Sequence, residues 1–314
     1  MIFINHFQTN PFFNIAAEEY LLKNFNDDFL FVWQNSPSVI VGKHQNLIAE
    51  VNLKYTRLHE IPVIRRISGG GTVYHDLGNF NYTHIRSEAN RERLIDFNKF
   101  SSPIMSFLKT MGIETGFGGK NNLITEGRKF SGNSAHVFKN RVMHHGTLLF
   151  NTDLTKLEKV IRPPKAQIDD KSVKSIRASV INLSDVLSFY ISPDEFRNKL
   201  TDFLTDHYLC DRIYEFTEED KMAINKLVDE KYANPDWNYG YSPAYEFKNS
   251  TGDYHLFIKV KNGRIIHVDL TGFTQDIANA FKGIMHRFED IENTANNISL
   301  NSEKKQILLH LFGF

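Results

Sequence analysis

Residues 65–79 read Arg65-Arg66-Ile67-Ser68-Gly69-Gly70-Gly71-Thr72-Val73-Tyr74-His75-Asp76-Leu77-Gly78-Asn79, the densest run of chemically capable side chains in the sequence. Three successive glycines let a backbone approach a ligand closely and aim its N–H groups at anionic oxygens. The two preceding arginines add fixed positive charge, and guanidinium geometry suits carboxylates and phosphates. The alternative is a turn flanked by solvent-facing arginines. The nearby His75, Asp76 and Asn79 favour a binding loop. The pattern is neither the dinucleotide GxGxxG nor the P-loop GxxxxGK[ST], so neither fold follows from it.

Two further segments carry candidate groups. In Gly127-Arg128-Lys129-Phe130-Ser131-Gly132-Asn133-Ser134-Ala135, strand alternation would put Lys129 and Ser131 on one face and Arg128 and Phe130 on the other. A lysine beside small residues can enter a pocket, where its ammonium could bridge a carboxylate and a phosphate; it could equally be a surface lysine. In Val142-Met143-His144-His145-Gly146-Thr147, adjacent strand residues point to opposite faces, so the histidine pair cannot easily grip one ion. One imidazole facing a pocket and one facing the core is the preferred account. No HExxH motif or spaced Cys/His set suggests catalytic zinc. Glu18 or Glu19 could face a pocket or solvent, Trp33 could wall an apolar site or sit in the core, and Asn121-Asn122 could meet a nucleotide or form a turn. Cys210 lies on an apolar helical stretch and reads as a buried spectator. No spacing singles out a Ser–His–Asp relay.

The elements that must position these groups are legible in outline. Asn10-Pro11 is a helix start. Phe29–Trp33 and Val39–Val41 read as strands, 51–59 as a short helix, 62–67 as extended and Asn79–Ile85 as a strand. Residues 96–111 have a helical period interrupted by Pro103. Strands are expected at 122–125, 129–138 and 142–150, with the last two joined at Lys139-Asn140-Arg141. A polar stretch from Arg162 to about Ser175 reads as a mobile loop. Ser192-Pro193-Asp194-Glu195 is a capping box, and Thr217 starts another acidic-first helix. Residues 234–242 look irregular. Asn262-Gly263 marks a hairpin between 254–260 and 264–269, followed by helices near 277–284 and 303–311. The interspersed order, without a βαβ rhythm, favours an α+β fold, with domains at 1–248 and 249–314.

Composition bounds the rest. The 314 residues carry 37 Lys+Arg against 37 Asp+Glu, a balance that argues against bulk nucleic-acid binding. The single cysteine rules out an internal disulfide and fits a reducing cytoplasm. No apolar run approaches the roughly 18 residues of a membrane span, and the N-terminus lacks signal-peptide character. A cytoplasmic protein with neither nucleic acid nor membrane as partner is expected.

Taken in order, Phe13-Asn14-Ile15-Ala16-Ala17-Glu18-Glu19, the Arg65–Asn79 stretch, Asn121, Gly127–Gly132 and His144–Leu154 resemble the lipoate–protein ligase family. Further likeness appears at 172–183 and 236–240. The resemblance implies a biotin/lipoate ligase-type catalytic domain, related to class II aminoacyl-tRNA synthetases, followed by a small accessory αβ domain. It implies that lipoate and ATP give lipoyl-AMP, and that the lipoyl group then passes to a carrier lysine, on E2 subunits of 2-oxoacid dehydrogenases or the glycine-cleavage H protein. Lys129 matches the family lysine that touches both the lipoyl carbonyl and the phosphate. Ile15, Ala17 and Trp33 would contact the acyl chain. Arg66, Ser68, Gly71, Thr72, His75, Ser131, Gly132, His145, Gly146 and Thr147 match further lipoate-side positions. Gly69, Gly70, Gly71, Tyr74, Asn79, Asn121 and Lys129 match nucleotide-side positions, and 163–180 matches the loop that closes over the adenylate. Asn122 stands where relatives commonly have Asp, which leaves Mg²⁺ to arrive with ATP. An acyltransferase using a preformed activated acyl group, and an idle lipoate- or adenylate-binding module, are the competing implications.

Overall fold

The computed structural model describes residues 1–88, 95–161 and 166–314. The opening of the expected polar loop, 162–165, lies outside the described residues. Strands and helices are numbered along the chain. The largest sheet has eight strands in the order β12 (Arg212–Tyr214), β1 (Ile2–Ile4), β2 (Phe29–Trp33), β6 (Asn79–Ser87), β10 (Arg141–Leu149), β9 (Arg128–Phe138), β8 (Asn122–Thr125) and β7 (Gly116–Gly118). Its β12–β1–β2 corner is parallel and the rest antiparallel. A three-stranded sheet sets β3 (Ser38–Val41) between β4 (Val63–Arg65) and β5 (Val73–His75).

Helices cover both faces of the large sheet. On one face α1 (Pro11–Asn24) and α7 (Glu218–Leu227) enclose Ile15, Phe31, Trp33, Ile85 and Met143. On the other, α4 (Phe97–Thr110) and α6 (Pro193–His207) pack over Phe80, Tyr82, Phe130 and Phe150. The alternation of β6 explains the division, since Phe80 and Tyr82 point one way and Ile85 the other. Local chemistry fixes the ends. The Asn10 side chain caps α1, and capping boxes open α6 at Ser192–Glu195 and α7 at Thr217–Asp220. Pro103 lies inside α4 and leaves the Lys99 carbonyl without its helical N–H; the Ser102 hydroxyl donates to that carbonyl at 3.1 Å, and the helix continues.

Several expectations are corrected. The short helix expected over 51–59 is α3 (Leu53–Leu58), capped by Asn52, and an unexpected turn of helix capped by Asn46, α2 (Leu47–Glu50), precedes it. The irregular 234–242 stretch contains a short helix, α8 (Pro235–Asn238), capped by Asn234 and preceded by a π-turn over Val228–Tyr232. The C-terminal sheet runs β11 (Gln167–Asp170), β13 (Tyr245–Thr251), β14 (Tyr254–Lys261) and β15 (Arg264–Thr271), all antiparallel. A division at 248/249 would therefore cut a strand paired on both sides, and β11 joins this sheet from within the earlier segment. Asn262 and Gly263 adopt positive φ of 51° and 72°, as the tight hairpin turn requires. Three helices, α9 (Gln275–Ala280), α10 (Phe288–Asn296) and α11 (Ser302–Leu311), close the unit; α10 had no clear sequence signal. One apolar cluster runs from Val39, Val41 and Leu47 into Phe247, Ile258 and Phe281, so this unit shares its core with the smaller sheet.

Candidate active site

The register of β9 against β10 places Ser134 opposite His145 and Asn133 opposite Gly146. The glycine loop, between β4 and β5, lies against this pair, and the Ser134 hydroxyl donates to the Gly69 carbonyl at 2.9 Å. Two adjoining cavities open here. The smaller, about 230 Å³, is walled by Ile15, Trp33, Ile40, Arg66, His75, Asn81 and His145. The larger, about 710 Å³, is bounded by Tyr74, Phe130, Ser131, Leu149, Leu157 and residues 174–180. Thr72, Lys129, Gly132 and Thr147 border both.

Lys129 stands at the junction. Its backbone is clamped by bonds from its N–H to the Ser179 carbonyl (2.8 Å) and from the Ile181 N–H to its own carbonyl (3.0 Å). Its ammonium makes no ion pair among the described residues, and a Cβ on Gly132 would lie 3.0 Å from Nζ. Burial lowers its pKa, with Arg66 adding repulsion. Lys129 is half-buried on the walls of both cavities, and a partly desolvated ammonium is stabilised by an anion beside it, for which these cavities are the available spaces.

The histidines divide as expected. His144 packs on Phe100 in the core, its pKa pushed down to about 4 by burial and then by Arg86. His145 borders the smaller cavity and anchors a chain of hydrogen bonds that sequence spacing did not suggest. Its Nδ1 meets both oxygens of Glu18, and its Nε2 lies 2.6 Å from the Ser68 hydroxyl. Ser68 Oγ in turn accepts from Arg66 Nε at 3.0 Å. Glu18 also accepts from Thr83 (2.6 Å), which accepts from Trp33 Nε1 (2.9 Å). Ser68 is fully buried and lines neither cavity, so this relay is a scaffold for the wall and not an exposed nucleophile.

The arginines are the main revision. Both are buried, not solvent-facing. Arg65 is occupied by the carbonyls of Gly42, Lys43, Gln45, Trp237 and Asn238 and by the Ser242 hydroxyl, and it borders neither cavity. Arg66 reaches the smaller cavity, but its nitrogens also hold Ile40, Gly69 and Gly71 carbonyls, which shape the glycine loop. Burial pushes the Arg66 pKa down to about 10, so it stays charged at neutral pH. His75 is fixed by Asn35 at Nδ1 (3.0 Å), while its buried Nε2 has no partner. Burial, then Arg66 and His145, lowers its pKa to about 3, so the ring is neutral.

Of the other expected residues, Ile15, Trp33, Gly70, Gly71, Thr72, Tyr74, Asn121, Ser131, Gly132, Gly146 and Thr147 border one or both cavities. Ala17 is enclosed in the core on α1, and Asn79 is buried on Asn81, so neither borders a cavity. Gly69 contributes its carbonyl to Arg66 and Ser134. Asn81, Asn133 and Ser134 line the smaller cavity without having been singled out. Strand alternation could have found them: Asn79, Asn81 and Thr83 form a polar face opposite Phe80 and Tyr82, and Asn133 shares its face with Ser131. Over the glycines lies Ser175, whose hydroxyl donates to Glu50 and accepts from the Thr72 N–H (3.0 Å) and Gln45 Nε2 (3.0 Å).

Comparison with known proteins matches this arrangement. Residues 10–205 match the family model of the lipoyl protein ligase A/B catalytic domain. Lipoate–protein ligase 1 of Staphylococcus aureus is 36% identical over 304 residues, covering 93% of this chain and 92% of that protein. A bipartite lipoate protein ligase from Thermoplasma acidophilum, solved as part of a lipoylation system with its E2 lipoyl domain, superposes with a TM-score of 0.66 at 26% identity. It covers 76% of this chain and 96% of its own. A lipoate-protein ligase A structure with bound ATP gives a TM-score of 0.65 at 25% identity, covering 76% and 98% respectively. With the family model spanning more than half of its length, the chain belongs to the lipoyl protein ligase A/B family.

Proposed function

We propose that the chain is an ATP-dependent lipoate–protein ligase working in two steps. The lipoate carboxylate attacks the α-phosphorus of ATP; the new C–O–P bond forms lipoyl-AMP as the P–O bond to pyrophosphate breaks. The amine of a carrier lysine then attacks the acyl carbon, an amide forms, the C–O bond to AMP breaks, and the amine proton leaves to solvent. The observation that carries this reading is Lys129, an unpaired ammonium where the two cavities meet. Joining two anions needs positive charge at their meeting point, and a preorganised charge in a water-poor site is worth more than one in water.

The smaller cavity suits the acyl chain, with Trp33 and Ile15 as apolar walls and Arg66 and the glycine loop near the carboxylate. The larger suits the nucleotide, with Tyr74 and residues 174–180 around it. Mg²⁺ travels with the triphosphate in this scheme, since the ion is commonly held by substrate phosphates and waters with one or two carboxylates and not by an all-protein cage. Ala17, Ser68 and Asn79 act behind the wall in this scheme. Octanoate is a competent second substrate, since it has the same eight-carbon chain and lacks only the two ring sulfurs, an apolar difference of the kind a hydrophobic pocket discriminates by only about 1–3 kcal/mol. The carriers are lipoyl domains of 2-oxoacid dehydrogenase E2 subunits and the glycine-cleavage H protein. The accessory unit begins after Ser242, and the lone Cys210 supports a cytoplasmic setting. Cys210 lines neither cavity and burial raises its pKa, which disfavours a thioester route.

The test is to incubate the protein with Mg-ATP and lipoate, without carrier, and to quantify lipoyl-AMP by mass spectrometry. Lys129→Ala is expected to stay folded and lose adenylate formation by roughly 10²–10³-fold, the scale of one preorganised charge-stabilising group. Near-normal adenylate from the variant would remove Lys129 from this role, and none from folded wild type would favour the acyltransferase or the idle binding module.

A further inference from the structure

Between the rim of the smaller cavity and the β9–β10 hairpin lies a line of four lysines, Lys43, Lys231, Lys23 and Lys139. Two backbone paths lead there from the glycine loop. One runs from Ser68, whose carbonyl accepts from the Lys43 N–H at 2.8 Å. The other runs along β9 from Ser134, which lines the cavity, to His136 and Phe138 on the same face. Lys23 and Lys139 sit 5.4 and 5.2 Å from the centre of the Phe138 ring. Lys43 lies 5.8 Å from the Tyr241 ring, and Lys231 lies 4.1 Å from Trp237, which packs on Tyr241 at 4.7 Å.

The carboxylates near these lysines are largely engaged: at the hairpin Asp27 pairs with Arg212, Glu88 with Arg86, and Asp28 accepts from the Ser87 N–H. The buried Glu19 holds both Lys23 (2.5 Å) and Lys231 (2.7 Å), while Asp236 is turned to Arg264. Lys43 and Lys139 form no ion pair among the described residues. The field is felt at His136, whose pKa is pushed down to about 4 by burial first and then by Lys43.

We propose that this ledge receives the carboxylate-bearing surface around the acceptor lysine of the carrier domain. The inference rests on the ligase reading above and names where its second substrate docks. An acceptor lysine must be neutral to attack an acyl-adenylate, and neighbouring cations favour the neutral amine. The same cations repel an approaching ammonium, so productive encounter needs carboxylates beside that lysine to offset the repulsion and steer the partner. A formal net charge of zero gives the chain no general attraction for a polyanion such as nucleic acid.

The experiment supplies preformed lipoyl-AMP and an E2 lipoyl domain, so that transfer is measured apart from adenylation. Lys43→Glu and Lys139→Glu are each expected to lower transfer kcat/KM about tenfold, chiefly through the on-rate. Adenylate formation from lipoate and ATP stays within about twofold, because neither side chain borders the cavities. Raising ionic strength from about 50 to about 300 mM slows wild-type transfer and flattens the difference from the variants. Replacing carboxylates beside the acceptor lysine with lysines restores the charge-reversed enzymes and weakens wild type. Lys139 is exposed at the hairpin, so Lys139→Glu decides the matter if Lys43→Glu disturbs the glycine loop and lowers adenylation too. Unaltered, salt-insensitive transfer would overturn the ledge and leave the ligase reading standing. Absence of adenylate from wild type would count against the ligase reading alone.

Discussion

His145 Nδ1 lies 2.9 and 3.0 Å from the two carboxylate oxygens of Glu18, so the first helix of the chain orients a ring on the cavity wall. The carboxylate only accepts, which places the proton on Nδ1 and leaves Nε2 to accept from Ser68. Ser68 Oγ is then free to accept from Arg66. Glu18→Gln keeps the shape but offers an amide N–H₂ to Nδ1, favouring the other tautomer and turning Nε2 into a donor that faces the Ser68 hydroxyl. The expected result is a folded enzyme whose lipoate KM rises about tenfold, the scale of one lost hydrogen bond of about 1.4 kcal/mol, with the ring tautomer switched in ¹⁵N NMR. Unchanged KM and tautomer would show that Glu18 merely fills space.

Gly42 and Gly69 make opposite predictions within one loop system. A Cβ on Gly42 would fall 2.1 Å from the Gly70 carbonyl oxygen, a backbone atom that can move only with the glycine loop. A Cβ on Gly69 meets nothing within 4 Å, and its φ is not positive. Gly42→Ala should therefore cost about 1–3 kcal/mol, typical of overpacking. Gly69→Ala should leave the thermal midpoint unchanged, so any activity it loses reports a ligand approaching the backbone there. Equal midpoints for the two variants would contradict this account of the loop.

Arg65 bonds six groups from two separate stretches of chain, 42–45 and 237–242. Asn238 also accepts from its N–H, and Trp237 Nε1 donates to its carbonyl. Lysine has three donors on one atom and cannot span this fork. Arg65→Lys is expected to lower unfolding free energy by about 1–3 kcal/mol or more, as carbonyls lose partners in a buried site. The loss should appear in urea unfolding and be independent of lipoate. A variant of wild-type stability with impaired lipoate binding would instead return Arg65 to the ligand.

The contrast between the two arginines shows where the sequence is legible and where it is not. Caps and turns are local, so Asn10, Ser192, Thr217 and Asn262-Gly263 announce their elements directly. Period-2 alternation likewise separates His144 from His145 before any fold is known. Arg65 and Arg66 are neighbours with the same chemistry, and what distinguishes them is a loop more than 170 residues away, from Trp237 to Ser242. The Glu18–His145 contact spans 127 positions, and a helix carboxylate carries no local mark of burial. Strand β11 was hidden for the same reason: Gln167–Asp170 is polar, and its strand character comes from pairing with β13. A resemblance in motif order reached the cavity residues where periodicity alone could not. It still did not separate residues that face a cavity from those, such as Ala17 and Asn79, that stand behind one.

The buried histidines give the molecule a defined acid sensitivity. His75 and His84 are pushed down to about 3, and His144 and His286 to about 4, in every case by burial first. His286 bridges Tyr245 and the Phe312 carbonyl, which fits a neutral ring accepting at Nδ1 and donating at Nε2. In the unfolded chain these imidazoles titrate near 6.5. Below that pH the unfolded state binds more protons than the native one, so stability rises with pH and is lost as pH falls from about 6.5 toward 4. Each imidazole contributes a slope of up to roughly 1.4 kcal/mol per pH unit in this window. Carboxylates such as Glu19, whose pKa is lowered by Lys23, Lys231 and Tyr232 against the opposing effect of burial, add to the loss only below their own unfolded value of 4.5. Urea midpoints should thus be level between about pH 7 and 8 and fall between about pH 6.5 and 5, before the carboxylates respond. His144→Phe, which keeps the stacking with Phe100, should reduce that slope by one imidazole's share. A midpoint constant from about pH 7 to 5 would mean these rings take up protons without unfolding, and that the burial around them admits water.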